Sequence, residues 1–183
     1  MMQPVADPVA SHAVAAALGV LLLLAAWAKL RDIESFRDVL ANYELLTPWL
    51  LAPVAWVLAL AECAAGALLL PTATRPIGAM LAGGLWLIVT AAIVLALARG
   101  RGGIDCGCGG AQQDVPLGTG LVVRNLVLLA LTAVAAAPIA AREVVWLDFV
   151  AVGATVLFIL GAITLTNTLL AQHSRLHALR NTP

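Results

Sequence analysis

Five long apolar runs constrain this chain more than anything else in it. They cover roughly Ala10–Ala28, Trp49–Leu70, Ile77–Ala98, Gly118–Ala137 and Val144–Leu170. Each meets or approaches the ~20 residues that a helix needs to cross ~30 Å of hydrocarbon. Inside a bilayer no water satisfies backbone N–H and C=O groups, so alanine- and leucine-rich segments of this length must be helical. The last run is the longest, which predicts tilt or an extension beyond the bilayer. The expected fold is an all-α, polytopic membrane helix bundle with about five transmembrane helices; four is the alternative if the first run lies shallow. Composition agrees, since 62% of the 183 residues are hydrophobic and 11% are charged, against about 25% charged in soluble domains.

No Lys or Arg precedes Lys29, so the first run lacks the basic start of a cleaved signal peptide and reads as a retained helix. One integral membrane domain over residues 1–172 and a polar tail over 173–183 follow. The net charge is zero, and nothing points to a nucleic-acid partner; the partner that the composition dictates is the lipid bilayer. With five spans, Lys29, Arg31, Arg37, Arg99, Arg101, Arg124, Arg175 and Arg180 fall on one side, and Arg75 and Arg142 on the other. The positive-inside rule then puts the N-terminus outside and the C-terminus, with the loop after the third span, in the cytoplasm. That is awkward for a cysteine loop, because disulfide chemistry is usual outside the cytoplasm.

That loop reads "GGIDCGCGGAQQ", with Cys106 and Cys108 separated by Gly107. A disulfide across one intervening residue strains the backbone, and strained pairs behave as labile or catalytic ones. Glycines at 107, 109 and 110 relax the restrictions on so tight a ring, and their N–H groups can form a nest that favours a thiolate. Arg99, Arg101 and Arg124 would lower a thiol pKa, whereas Asp105 would raise it. Three readings stand: a redox pair, half of a metal site, and a passive turn. The metal reading has a concrete form, since His173 and His177 in "QHSRLH" lie four apart on the same side and with Cys106 and Cys108 would make a Cys2His2 set.

Polar residues also occur inside the runs. Glu62 and Cys63 sit in the middle of the second span, and Arg124 and Asn125 about two turns into the fourth. An intramembrane carboxylate needs a partner; Arg124, Asn125 and Lys29 are the candidates, either to clamp helices or to relay protons. Arg124 can snorkel back toward the loop. Cys63 lies ~20 Å from the loop end of its helix and reads as core packing. Small residues in "GAMLAGG" (78–84) predict close helix packing. Between the first two spans, Ile33, Phe36, Leu40 and Tyr43 recur at helical spacing among charges, which predicts an amphipathic helix along the interface or a lid over the bundle.

Together, "AKLRD" at the end of the first span, the amphipathic segment, Glu62, "CGCGG" and "VVRN" resemble the methylamine-utilisation MauE family, a relative of the DoxX-like redox-associated membrane proteins. The resemblance covers about residues 14–140. It departs at Gly109, where many relatives are expected to carry a bulky aromatic. It implies a multi-pass bacterial inner-membrane protein needed for processing, transport or maturation of the small (beta) subunit of methylamine dehydrogenase, which is periplasmic and rich in disulfides. A thioredoxin-like protein of the MauD type is the implied companion. Carried over, Cys106 and Cys108 are the redox pair, with Glu62, Arg124 and Asn125 as polar residues of the bundle; Lys29, read from the sequence itself, stands at the entrance of the amphipathic segment and is a further supporting candidate. No cofactor is certain; a membrane quinone is a candidate electron acceptor. Two rivals differ in class. One is a non-catalytic scaffold or metal-braced adaptor for the maturation machinery, and the other is a small transporter using Glu62.

Overall fold

The computed structural model describes residues 7–102, 104, 106, 107, 115, 117–138 and 146–180, with side chains in the last helix described for most residues up to Gln172. Among these there are six helices and no strand: α1 (Pro8–Arg31), α2 (Ile33–Asn42), α3 (Pro48–Leu69), α4 (Arg75–Ala98), α5 (Thr119–Ala136) and α6 (Trp146–Arg180). All but α2 are long and apolar enough to cross a membrane, as the five runs predict. Proline in the first turn starts three of them, α1, α3 and α4, where its missing N–H has no helical partner to lose and its fixed φ suits the helix. The fifth span continues as one helix to Arg180, so the polar tail is helical through that residue.

Helices α1, α3, α4 and α5 form a closed ring of neighbours, and α6 packs on the outside against α1. The shared core is mostly aliphatic, with one indole: Ala15, Leu18 and Leu22 of α1 meet Ala65 and Leu69 of α3, Ala82 and Trp86 of α4, and Leu128 of α5. Large residues such as Phe158, Leu157 and Ile88 face outward, toward lipid, where apolar exposure costs nothing. Thr90, Thr132, Thr155 and Thr164 each donate a hydroxyl hydrogen bond to the carbonyl four residues earlier, which satisfies them without water.

Two glycines decide how closely α1 and α3 approach. A Cβ on Gly66 would lie 2.8 Å from the Gly19 carbonyl oxygen, and one on Gly19 would lie 3.0 Å from that of Gly66. Small residues at such a crossing bring backbones together where no hydrophobic effect drives helix association. The "GAMLAGG" stretch contributes at Gly78, packed against the Leu68–Leu69 backbone, and at buried Ala79 and Ala82; Gly84 meets nothing within 4 Å. At the end of the bundle remote from α2, Arg75 reaches the Leu69 carbonyl, Ser11 and His12 Nδ1, tying the starts of α1 and α4 to the end of α3.

Candidate functional site

The opposite end of the bundle carries the polar chemistry. Lys29, near the end of α1, and Glu62, within α3, form a bidentate ion pair. Nζ donates to both carboxylate oxygens, at 2.8 and 2.7 Å, and both residues are buried. The antiparallel arrangement explains the reach, because side chains tilt toward the N-terminus of their own helix and so converge from α1 and α3. Of the three partners considered for Glu62, Lys29 is the one. The ammonium also stands 5.2 Å from the centre of the Phe36 ring, adding a cation–π contact from α2.

Arg124 takes a different route. One terminal nitrogen donates to Asn167 Oδ1 of α6 at 2.7 Å and the other to its neighbour Asn125 at 3.2 Å. The guanidinium therefore joins α5 to α6 within the bundle instead of snorkelling to the interface. Asn167 escaped the sequence reading, although a lone asparagine in an apolar span is itself a signal for a buried partner.

The helix expected after the first span is α2. Asp32 caps it, accepting from the Ser35 amide at 3.1 Å and hydroxyl at 2.7 Å, and these bonds hold the Asp32 carboxyl below the usual carboxylate range. Phe36 is the buried residue of α2, and Tyr43 is buried just beyond its end. The helix packs on α3 and α1, as a lid over the bundle.

The described residues of the cysteine loop pack beneath that lid. Cys106 is disulfide-bonded and buried, while Cys63 is free, half-buried and on α3. The Cys106 amide donates to the Val115 carbonyl, and the Leu117 amide to that of Ile104. The Tyr43 hydroxyl donates to the Cys106 carbonyl at 3.1 Å. Gly107 has φ +69°, and a Cβ there would come within 2.7 Å of Val39 Cγ1 on α2. Glycine is needed twice at this position, for the left-handed backbone and for the contact. Arg99 and Arg101, expected to influence the thiols, instead bind the end of the lid: Arg99 donates to the Glu44 carbonyl, and Arg101 to the Asn42 carbonyl and the Glu44 carboxylate. Glu44 itself has a positive φ.

Between lid, loop and bundle lies a mostly apolar cavity of about 230 Å³. Lys29, Glu62, Arg124, Asn167, Trp86 and Cys106 are among its walls. The structure thus gathers Cys106, Lys29, Glu62 and Arg124 around one space, with Asn125 behind Arg124. Cys63 does not line it. Cys108 and the side chains of His173 and His177 lie outside the described residues, among which no cluster of metal-ligating side chains occurs.

Comparison with known proteins places this arrangement in a lineage. The family profile for methylamine utilisation protein MauE matches residues 7–138. The MauE protein of Methylorubrum extorquens is 39% identical over 167 residues, covering 88% of this chain and 90% of that protein. The Paracoccus denitrificans MauE is 39% identical over 114 residues, covering 62% of this chain and 61% of its own length. The Methylophilus methylotrophus protein is 41% identical over 110 residues, covering 59% and 57%. The match therefore spans about six-tenths of these latter two relatives. No solved structure matches. The chain, a multi-pass helical membrane protein, belongs to the MauE family of methylamine utilisation proteins.

Proposed function

We propose that the chain serves the maturation of methylamine dehydrogenase by thiol–disulfide exchange, with Cys106 and Cys108 as the working pair and the enzyme's small subunit as the protein finally served. One observation supports this reading above the others. Disulfide-bonded Cys106 is fixed at the wall of a cavity that also holds a buried ion pair and a half-buried guanidinium. Since the chain has three cysteines and Cys63 is free, Cys108 is the partner we assign to Cys106.

The exchange is with a thioredoxin-like protein of the MauD type. A thiolate of that partner attacks one sulfur of the pair and the other leaves as thiolate, giving a mixed disulfide. The partner's second thiol then resolves it, so two electrons pass to the C-x-C pair and the partner departs oxidised. The bacterial inner membrane is the proposed location. Lys29 and Arg124 are engaged inside the bundle; the arginine excess that remains after discounting them favours the cytoplasm for the loop side, whereas service to an exported, disulfide-rich subunit favours the outside.

Replacing the native chain by Cys106→Ser/Cys108→Ser in cells grown on methylamine tests the function. Loss of active methylamine dehydrogenase, with the variant still present in the membrane, is the expected result; full activity overturns it. A membrane-impermeant maleimide applied to spheroplasts carrying Cys63→Ser tests the side. Labelling only after the membrane is opened agrees with the arginines, whereas labelling of intact spheroplasts after reduction puts the loop outside, with the exported subunit.

A further inference from the structure

We infer that the cavity beneath α2 is the binding site for the ring of a lipid-soluble quinone, which reoxidises the C-x-C pair from within the membrane. The inference rests on the dithiol reading and adds to it the oxidant's class and its place.

Three features of the cavity bear on its occupant. Its volume, about 230 Å³, exceeds the roughly 150 Å³ of an engineered apolar cavity that takes up benzene, so a substituted six-membered ring fits. Its wall includes Ile88, which is exposed on the lipid-facing side of α4, so the cavity borders the surface that a ligand dissolved in the bilayer would meet. Lys29 is paired with Glu62 and an Arg124 terminal nitrogen with Asn167 in the cavity wall, but two further donors there are left over. Trp86 Nε1 and Arg124 Nε are buried with no hydrogen-bond partner among the described residues, and both residues line the cavity.

An orphaned buried donor costs about 1–3 kcal/mol, and two in one wall want acceptors. A lipid acyl chain supplies none. A quinone supplies two carbonyl oxygens on opposite edges of a flat apolar ring, one acceptor for each of the two donors, on α4 and α5. Both donor atoms lie in the wall and not on its open surface, so binding requires each side chain to rotate to bring its N–H to a carbonyl.

Cys106 lines the same cavity, which puts this member of the pair beside the oxidant. The chemistry balances. Two S–H bonds break and one S–S bond forms, while two electrons and two protons convert the quinone carbonyls into the two hydroxyls of a quinol. The dithiol is oxidised and the quinone is reduced, one for one.

Full-length protein in lipid nanodiscs tests this with two readouts. A short-chain azidobenzoquinone is photolysed on the native protein and on Cys106→Ser/Cys108→Ser, with a decyl-chain benzoquinone as competitor. Separately, the reduced native protein is mixed with the decyl-chain quinone, and quinol and disulfide are counted. The expected result is competed labelling of α4 or α5 peptides in both proteins, and one quinol per disulfide formed. Trp86→Phe, which keeps the ring and removes the donor, should weaken quinone binding on the order of tenfold; Arg124→Gln should do likewise, and its melting temperature shows whether it folds. Absence of competed labelling in either protein overturns the quinone site, while thiol exchange with a thioredoxin-like dithiol would leave the dithiol reading standing. Competed labelling without quinol formation, and without thiol exchange, would sink the dithiol reading and the electron transfer drawn from it.

Discussion

Breaking the Lys29–Glu62 pair one side at a time should cost far more than removing it whole. At 2.7 Å and an effective dielectric of about 20, the Coulomb attraction is about 6 kcal/mol. Both residues are buried, and desolvating two ions costs several kcal/mol each, so the pair itself contributes little net stability. The balance changes when one partner goes. Glu62→Leu strands an ammonium among Ala25, Leu21 and Leu58 of the cavity wall, and Lys29→Met strands a carboxylate. Each should cost about 3–5 kcal/mol. The double variant Lys29→Met/Glu62→Leu leaves no charge behind and should recover most of that loss, a coupling of at least about 2 kcal/mol. Unfolding in mixed micelles titrated with SDS measures all four proteins on one scale. Two single losses below about 1 kcal/mol that simply add would mean a hydrated pair, and the buried clamp would have to be given up.

Other expectations follow from the lid and the helix crossing. Gly107→Ala should destabilise the loop by about 1–2 kcal/mol from the left-handed backbone alone, and Val39→Ala in the same chain should relieve the clash but not that cost; hydrogen exchange of the Cys106 and Leu117 amides reads both. Gly66→Val should push α1 from α3, because the atom in its way is the Gly19 carbonyl and backbone cannot rotate aside; a lowered midpoint in mixed micelles checks it, and an unchanged one would show that the crossing is loose. The Asp32 cap should weaken on acidification. Its carboxyl is held low in the folded state, so the stability it gives is present above the ordinary carboxylate pKa and is lost as pH falls through the lowered one. Exchange protection of α2 should therefore drop at acid pH in the native chain and change little in Asp32→Asn, whose side chain caps without titrating.

The spans and the lid were legible because length and periodicity report on them directly. An apolar segment of about 20 residues has one stable solution in a bilayer, and the spacing of Ile33, Phe36, Leu40 and Tyr43 marks the face α2 turns inward. Facing within the bundle was not legible. The spans are apolar all round, so no hydrophobic stripe tells which side meets a neighbour. Hence no pattern marks Gly19 and Gly66, whereas the more conspicuous Gly84 has open space where a Cβ would stand, and Glu62 has three candidate partners. Nearness in sequence relates Arg99 and Arg101 to the thiols but carries no sign of the Glu44 and Asn42 carbonyls at the end of α2, which they bind in the fold. Tyr43 was read as part of an apolar face, yet its hydroxyl reaches Cys106, a contact between residues 63 apart that no local pattern carries.

Trapping the exchange itself addresses the central proposal most directly. Cys106→Ser and Cys108→Ser single variants, each in a Cys63→Ser background, are made in cells producing methylamine dehydrogenase, quenched in acid and separated without reductant. A working pair leaves at least one variant joined through a disulfide to a thioredoxin-like protein, released by reduction and identified by mass. If both variants run alone with their remaining thiol free, while active methylamine dehydrogenase is made at the native level, Cys106 and Cys108 do no exchange chemistry.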